Sequence, residues 1–230
     1  MKIIKFGLGI FISIATILIL LITAFEIGAY SNYGWYEKTY EKYGVLDDLD
    51  MKMEDVMYVT EEMMAYLRGN RDDLIVETKV EGEEREFFSD KEKAHMMDVK
   101  NLFIGGLRIR RIAIVLFVLA LVALIKTKAD WKRFLPKSFL VGLGVFLGIT
   151  LGAGLLFLSD FNKYFTLFHK IFFTNDLWLL DPRTDLLIRM LPEGFFMDMV
   201  VRIGIIFLSL LLLGVIISII ALYRPKNKNN

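Results

Sequence analysis

Four long apolar stretches alternate with polar segments along the chain. Phe6 to Ala29, Leu102 to Ile125, Ser138 to Leu158 and about Val200 to Tyr223 each approach the ~20 residues a bilayer-crossing helix needs. The expected fold class is therefore an all-α membrane protein, with four transmembrane helices and a small extracytoplasmic cap of helices plus a short hairpin. Residues 1–230 form a single integral membrane domain on this reading. The first stretch follows the basic start Met1-Lys2-Ile3-Ile4-Lys5. Its apolar length and the lack of an A-x-A site before Tyr30 favour an uncleaved anchor over a signal peptide.

Four crossings put both termini on one side. Lys2, Lys5, Lys126, Lys128, Lys132, Arg133, Lys137, Arg224, Lys226 and Lys228 all fall there, so the positive-inside rule makes residues 126–137 and 224–230 cytoplasmic. Residues 30–101 and 159–199 are then extracytoplasmic. Tyr30, Tyr33, Trp35, Tyr36, Trp178, Phe195 and Phe196 are expected as an interfacial aromatic belt.

The first outer segment reads as folded. Met53, Val56, Tyr58-Val59, Met63 and Leu67 recur at helical spacing, with Gly69-Asn70 as a stop. Leu74 to Val80 and Arg85 to Phe88 flank Glu81-Gly82-Glu83-Glu84 as a hairpin. Ser89 followed by Glu92 is a capping-box signature, which predicts a helix that carries His95 into the second span. In the second outer segment, Ser159 or Asp160 can cap a helix on which Phe161, Phe165, Phe168 and Phe172 form an apolar stripe bordered by His169, lying on the bilayer surface. Asp181-Pro182 predicts a short helix through Asp185, Ile188 and Arg189, and Pro192-Glu193 opens the last span.

Composition narrows the chemistry. The 230 residues are 55% hydrophobic yet 24% charged, so polar material is segregated into the outer segments. A net charge of +1 leaves no electrostatic footprint for nucleic acid. Cysteine is absent, which removes disulfides, thiolate metal sites and thioester chemistry. The chain has two histidines, His95 and His169, and hydropathy places both on the outer side. Imidazole titrates near neutral pH, so two that converge can take a proton from one group and give it to another, although a lone interfacial histidine is more often structural.

Arg108, Arg110 and Arg111 lie in the outer third of the second span, where charge is costly. Either they snorkel to phospholipid phosphates, or they face a polar pocket with Glu26 of the first span as counter-ion. The Gly105-Gly106 pair, near the His95 face of the same helix, permits a bend or a close approach by a helix or lipid chain.

The segments His95-Met96-x-Asp98-Val99-Lys100 and Phe168-His169-x-x-Phe172-Phe173-x-Asn175-x-x-Trp178-x-x-Asp181-Pro182-x-x-Asp185-x-Leu187-Ile188, continuing to Pro192-Glu193-x-Phe195-Phe196, resemble the lipoprotein intramolecular transacylase family of bacterial membrane proteins. The resemblance covers nearly the whole four-span layout and matches Tyr36 to Phe88 only loosely. It implies that the sn-2 acyl ester of a diacylglyceryl-modified N-terminal cysteine moves to that cysteine's own α-amine, giving a lyso-form lipoprotein. The family's two functional histidines map onto His95 and His169.

An α-amine of pKa about 7.7 to 8.0 must shed a proton to attack, which one imidazole can take while the other protonates the departing glycerol oxygen. Lys100, Arg108, Arg111 and Asn175 are candidate donors to the oxyanion, and Asp98 or Asp185 could orient an imidazole. Trp178 and its aromatic neighbours are expected to line a substrate entrance from the outer leaflet of the bacterial cell membrane. The expected partners are a diacylated lipoprotein N-terminus and membrane phospholipid; no metal or other cofactor is expected. Two rival readings are a metal-dependent membrane hydrolase using His95, His169, Asp98 and Asp185, and a non-enzymatic sensor docking through the acidic segment Tyr36 to Asp90.

Overall fold

The computed structural model describes residues 2–127 and 130–223, with backbone alone at 2–4, 149, 151–159 and 161. Expectations resting on the side chains of Lys2, Ser159 and Phe161, on Lys128, and on Arg224, Lys226 and Lys228 lie outside what is described. The described residues form helices α1 (Lys2–Tyr30), α2 (Gly34–Lys42), α3 (Val45–Leu49), α4 (Met53–Arg68), α5 (Asp90–Lys126), α6 (Trp131–Ser159), α7 (Phe161–Phe172), α8 (Leu186–Met190) and α9 (Glu193–Tyr223). One hairpin, β1 (Glu77–Val80) and β2 (Glu83–Glu86), completes the set. Two compact units emerge: Met1–Phe25 with Arg108–Asn162 and Gly204–Asn230, and Glu26–Leu107 with Lys163–Ile203.

The first unit is apolar helix against apolar helix. Ile12, Ala120 and Leu124 are buried among Leu8, Phe117, Trp131, Phe134 and Leu135. Small residues let α1 and α6 approach: a Cβ on Gly9 would stand 2.6 Å from Ser138 Oγ, and one on Gly142 would collide with Ser13. Outward faces stay apolar, with Ile14, Val115, Leu119, Val141, Val145, Leu208 and Leu212 exposed. Helices that are apolar all round belong in a membrane. Length and composition mark two of them, Lys5–Tyr30 and Glu193–Tyr223, as able to cross among the described residues. The expected span in α5 is interrupted by Arg108, Arg110 and Arg111, and much of the expected span in α6 has no described side chains.

The second unit has a conventional core. In α4, Val56, Val59, Met63 and Leu67 are buried at helical spacing, and Gly69 ends the helix with φ +81°, a left-handed C-cap that glycine adopts without strain. The hairpin turns earlier than its sequence suggests. Val80 pairs with Glu83, so the turn is Glu81-Gly82, both at positive φ (54° and 82°) as a two-residue hairpin turn demands. Glu83 and Glu84 consequently sit in β2, whose residues are all exposed, while Thr78 and Val80 of β1 face inward.

Two further expectations change. Tyr36 and Phe195 are not an interfacial belt: they are 2% and 4% exposed and pack with Tyr40, 5.7 Å apart ring to ring, in the core of this unit. Hydropathy marks a ring as half-apolar without saying whether lipid or protein will cover it. Asp181-Pro182 starts only a turn, and α8 begins at Leu186, because the Asp185 carboxylate folds back onto the Asp181 N–H at 2.7 Å.

Candidate functional site

Ser89 and Glu92 start α5 as a capping box. Ser89 N–H donates to Glu92 Oε2 at 2.7 Å, and Glu92 N–H to Ser89 Oγ at 3.3 Å. One turn later the helix presents His95, 8% exposed. α7 presents His169, 7% exposed. The two rings lie 6.2 Å apart, centroid to centroid, with planes inclined by 36°.

Aromatic side chains enclose the pair. Phe173 is 5.5 Å from His95 and 5.4 Å from His169. Phe165 lies 4.1 Å from His169 on one side, and Trp178 stacks on it at 4.8 Å and 29° on another. The expected phenylalanine stripe divides: Phe165 covers the imidazole, whereas Phe168 and Phe172 are 40% and 53% exposed beside Leu167 and Ile171.

Burial sets the protonation of both rings, because a low-dielectric surround disfavours the imidazolium. It lowers His95 to about 4; the neighbouring His169 adds to the fall, Asp98 opposes it, and Lys91 adds a little more. Burial lowers His169 as well, against the pull of its backbone hydrogen bond to Phe165. That bond fixes a tautomer. His169 Nδ1 is 2.7 Å from Phe165 O, and a carbonyl can only accept, so Nδ1 carries the hydrogen and Nε2 keeps its lone pair. His95 Nδ1 is enclosed and has no hydrogen-bond partner among the described residues.

The first turn of α5 also grips the second outer segment. Lys91 Nζ donates to Leu179 O at 2.6 Å and to Asp185 Oδ2 at 3.2 Å. The buried Glu92 carboxylate accepts Leu187 N–H at 2.6 Å, fastening the start of α8 to the helix that carries His95. Sequence reading missed Lys91, Glu92 as a long-range partner, and Phe173 as the ring packed against both histidines. The capping box was the one local signal, since it announces a carboxylate turned back toward the helix start.

The remaining candidates are distributed as follows. Asp98 accepts Asn175 Nδ2–H at 2.8 Å, and Asn175 Oδ1 in turn accepts Leu177 N–H. Asp185 is buried and bound to Lys91 and the Asp181 N–H. Neither carboxylate holds an imidazole, since each is committed to the loop that follows α7. Lys100 donates to Arg71 O, 2.8 Å away, and lies over the Tyr66 ring. Five helical residues turn its side chain about 140° from His95, away from the site.

Glu26 pairs with Arg68 at 3.0 Å. Arg108 and Arg111 belong to the other unit, as does Arg110, which reaches Thr23 Oγ1 at 3.4 Å. Apart from the helix's own nearby backbone and the adjoining residues, no atom of the described residues lies within 4 Å of a Cβ built at Gly105 or Gly106. Among the described residues no three His, Cys, Asp or Glu side chains gather as a metal site.

No curated protein sequence matches the chain. Among solved structures it is similar to the membrane integral lipoprotein intramolecular transacylase Lit from Bacillus cereus, determined in meso, with TM-score 0.78 and 22% identity over 96% of this chain and 97% of that one. Two forms of the Bacillus cereus protein, with a histidine replaced by alanine or by arginine, give TM-scores of 0.74 and 0.73. Their identities are 22% and 21%; each covers 94% of this chain, and 93% and 91% of its own. At such identity the likeness establishes the fold. The family profile described as lipoprotein intramolecular transacylase Lit matches residues 10–196, most of the sequence. The chain therefore belongs to the lipoprotein intramolecular transacylase family, membrane acyltransferases that act on lipoproteins.

Proposed function

We propose that His95 and His169 are the acid/base pair of the transacylation, and that they work at the outer leaflet of a four-span protein with both termini in the cytoplasm. The observation that carries the reading is the convergence to 6.2 Å of two buried imidazoles whose residues are 74 positions apart in the sequence. The clustering of basic residues at one end of every apolar stretch supports the orientation.

The substrate on this reading is a lipoprotein whose N-terminal cysteine carries a diacylglyceryl group. Its α-ammonium gives up two protons on becoming an amide N–H; the departing glycerol oxygen takes one and the other goes to water. Burial keeps both imidazoles neutral and ready to accept. His169 Nε2, its lone pair freed by the Nδ1 bond, takes the proton of the attacking nitrogen as the N–C bond forms at the sn-2 carbonyl. The proton then passes from His169 to His95 and on to the glycerol oxygen as the C–O bond breaks, so both imidazoles end neutral as they began.

Donor and acceptor belong to one molecule. Holding them in register can contribute up to about 7 to 11 kcal/mol in ideal cases, and no enzyme nucleophile is required. Asn175 is the oxyanion candidate retained, because its amide has two N–H groups and gives one to Asp98. The exposed Leu167, Phe168, Ile171 and Phe172 of α7 suit contact with acyl chains or bilayer.

Mass spectrometry of a diacylated lipopeptide incubated with the protein tests the reading. The expected product has unchanged mass and a blocked α-amine, and it disappears with His95→Ala or His169→Ala. Loss of an acyl group to water, or gain of one from a separate phospholipid, would overturn it.

A further inference from the structure

The two imidazoles sit on different helices, and something must hold the second at a fixed distance from the first. Trp178 is stacked on His169, and the next residue, Leu179, has its carbonyl on Lys91 Nζ at 2.6 Å. Lys91 lies one turn before His95 on the same face of α5, and its ammonium also meets buried Asp185 at 3.2 Å. A closed circuit results, running from His95 along α5 to Lys91, across to Leu179 and Trp178, and through the stack to His169. His169 is also tied through Nδ1 to its own helix.

We propose that Lys91 is a positioning residue for the acyl transfer: by pinning Leu179 it holds Trp178 against His169 and so sets the spacing of the two imidazoles. The proposal rests on the two-histidine reading above. The Lys91 ammonium is engaged with Leu179 O and Asp185 rather than with either ring, and its side chain remains 39% exposed. Its loss leaves the buried Asp185 carboxylate with the Asp181 N–H, so the unit should lose some stability as Trp178 loosens but remain folded. Small displacements of a catalytic group are costly to rate all the same.

Lys91→Met keeps the length of the side chain and removes its donors, whereas Lys91→Arg restores donors that can span the carbonyl and the carboxylate. Expected for Lys91→Met is a fall in kcat of about ten- to a hundredfold with KM little changed, substantially recovered in Lys91→Arg. A second readout needs no turnover. Emission from a stacked indole is quenched by a protonated imidazole, and the difference between the parent protein and its Trp178→Phe form isolates Trp178 from Trp35 and Trp131. The parent should show acid quenching as His169 protonates, and Lys91→Met should lose most of it at temperatures where the variant is fully folded.

Unaltered kcat and unaltered quenching in Lys91→Met would sink the proposal. If Lys91→Met does not fold, Trp178→Phe, which leaves the Lys91 bonds in place, must lower kcat at constant KM; no effect there is equally fatal. A parent protein that quenches as expected but transfers no acyl group would instead count against the two-histidine mechanism.

Discussion

Phe173 packs against both His95 and His169, within 5.5 Å of each ring centroid, and is itself 8% exposed. It therefore excludes water from both imidazoles at once. Removing part of it should relieve the desolvation that depresses them. In Phe173→Leu, a change that keeps most of the apolar volume, the acid limb of the pH–rate profile is expected to move to higher pH. Initial rates of lipopeptide conversion from pH 4 to 8 measure this. An unmoved limb would mean that Phe173 is not what keeps the rings dry.

The Nδ1 bond of His169 separates structural from chemical roles. An asparagine amide can reproduce the donation to Phe165 O while offering nothing where Nε2 was. His169→Asn is thus expected to keep the parent melting temperature and lose about 10²- to 10⁴-fold in kcat, the range that general acid/base groups supply. A loss confined to KM would point instead to a binding role for the ring.

Stability should carry the signature of His95. Its pKa falls from the ordinary 6.5 to about 4 on folding, so the unfolded chain binds more protons between those values. The sign follows: the contribution of neutral His95 is complete above about pH 6.5 and is lost as pH falls toward 4. The change is on the order of 3 kcal/mol for this group alone. Melting temperatures over that interval should fall more steeply with decreasing pH in the parent than in His95→Phe. Parallel curves would contradict the burial argument.

Local patterns in the sequence were legible; long-range commitments were not. The α4 periodicity and the Ser89–Glu92 box involve residues within a turn or two of each other, so spacing alone reveals them. The histidines stood out because the chain has so few. By contrast, Tyr36 and Phe195 read as interfacial rings yet fill a protein core, since apolarity does not name its partner. Lys100 follows His95 closely in sequence but is turned toward Tyr66. Asp185 could be recognised as a resource, but its pairing with Lys91 spans 94 residues.

Glu92 provides the last test, because its side chain serves two distant parts of the unit. At 1% exposure, one oxygen accepts the Ser89 N–H and the other the Leu187 N–H. Glu92→Ala leaves both amides buried without an acceptor, at a cost of about 1 to 3 kcal/mol each. Glu92→Gln keeps one acceptor and turns an NH₂ toward the other amide, so it should recover only part of the loss. Hydrogen exchange locates the effect: the Leu187 amide should lose protection in both variants, while amides in the middle of α4 remain as slow as in the parent. If Glu92→Gln melts with the parent and Leu187 stays protected, the tie between α5 and α8 does not depend on this carboxylate.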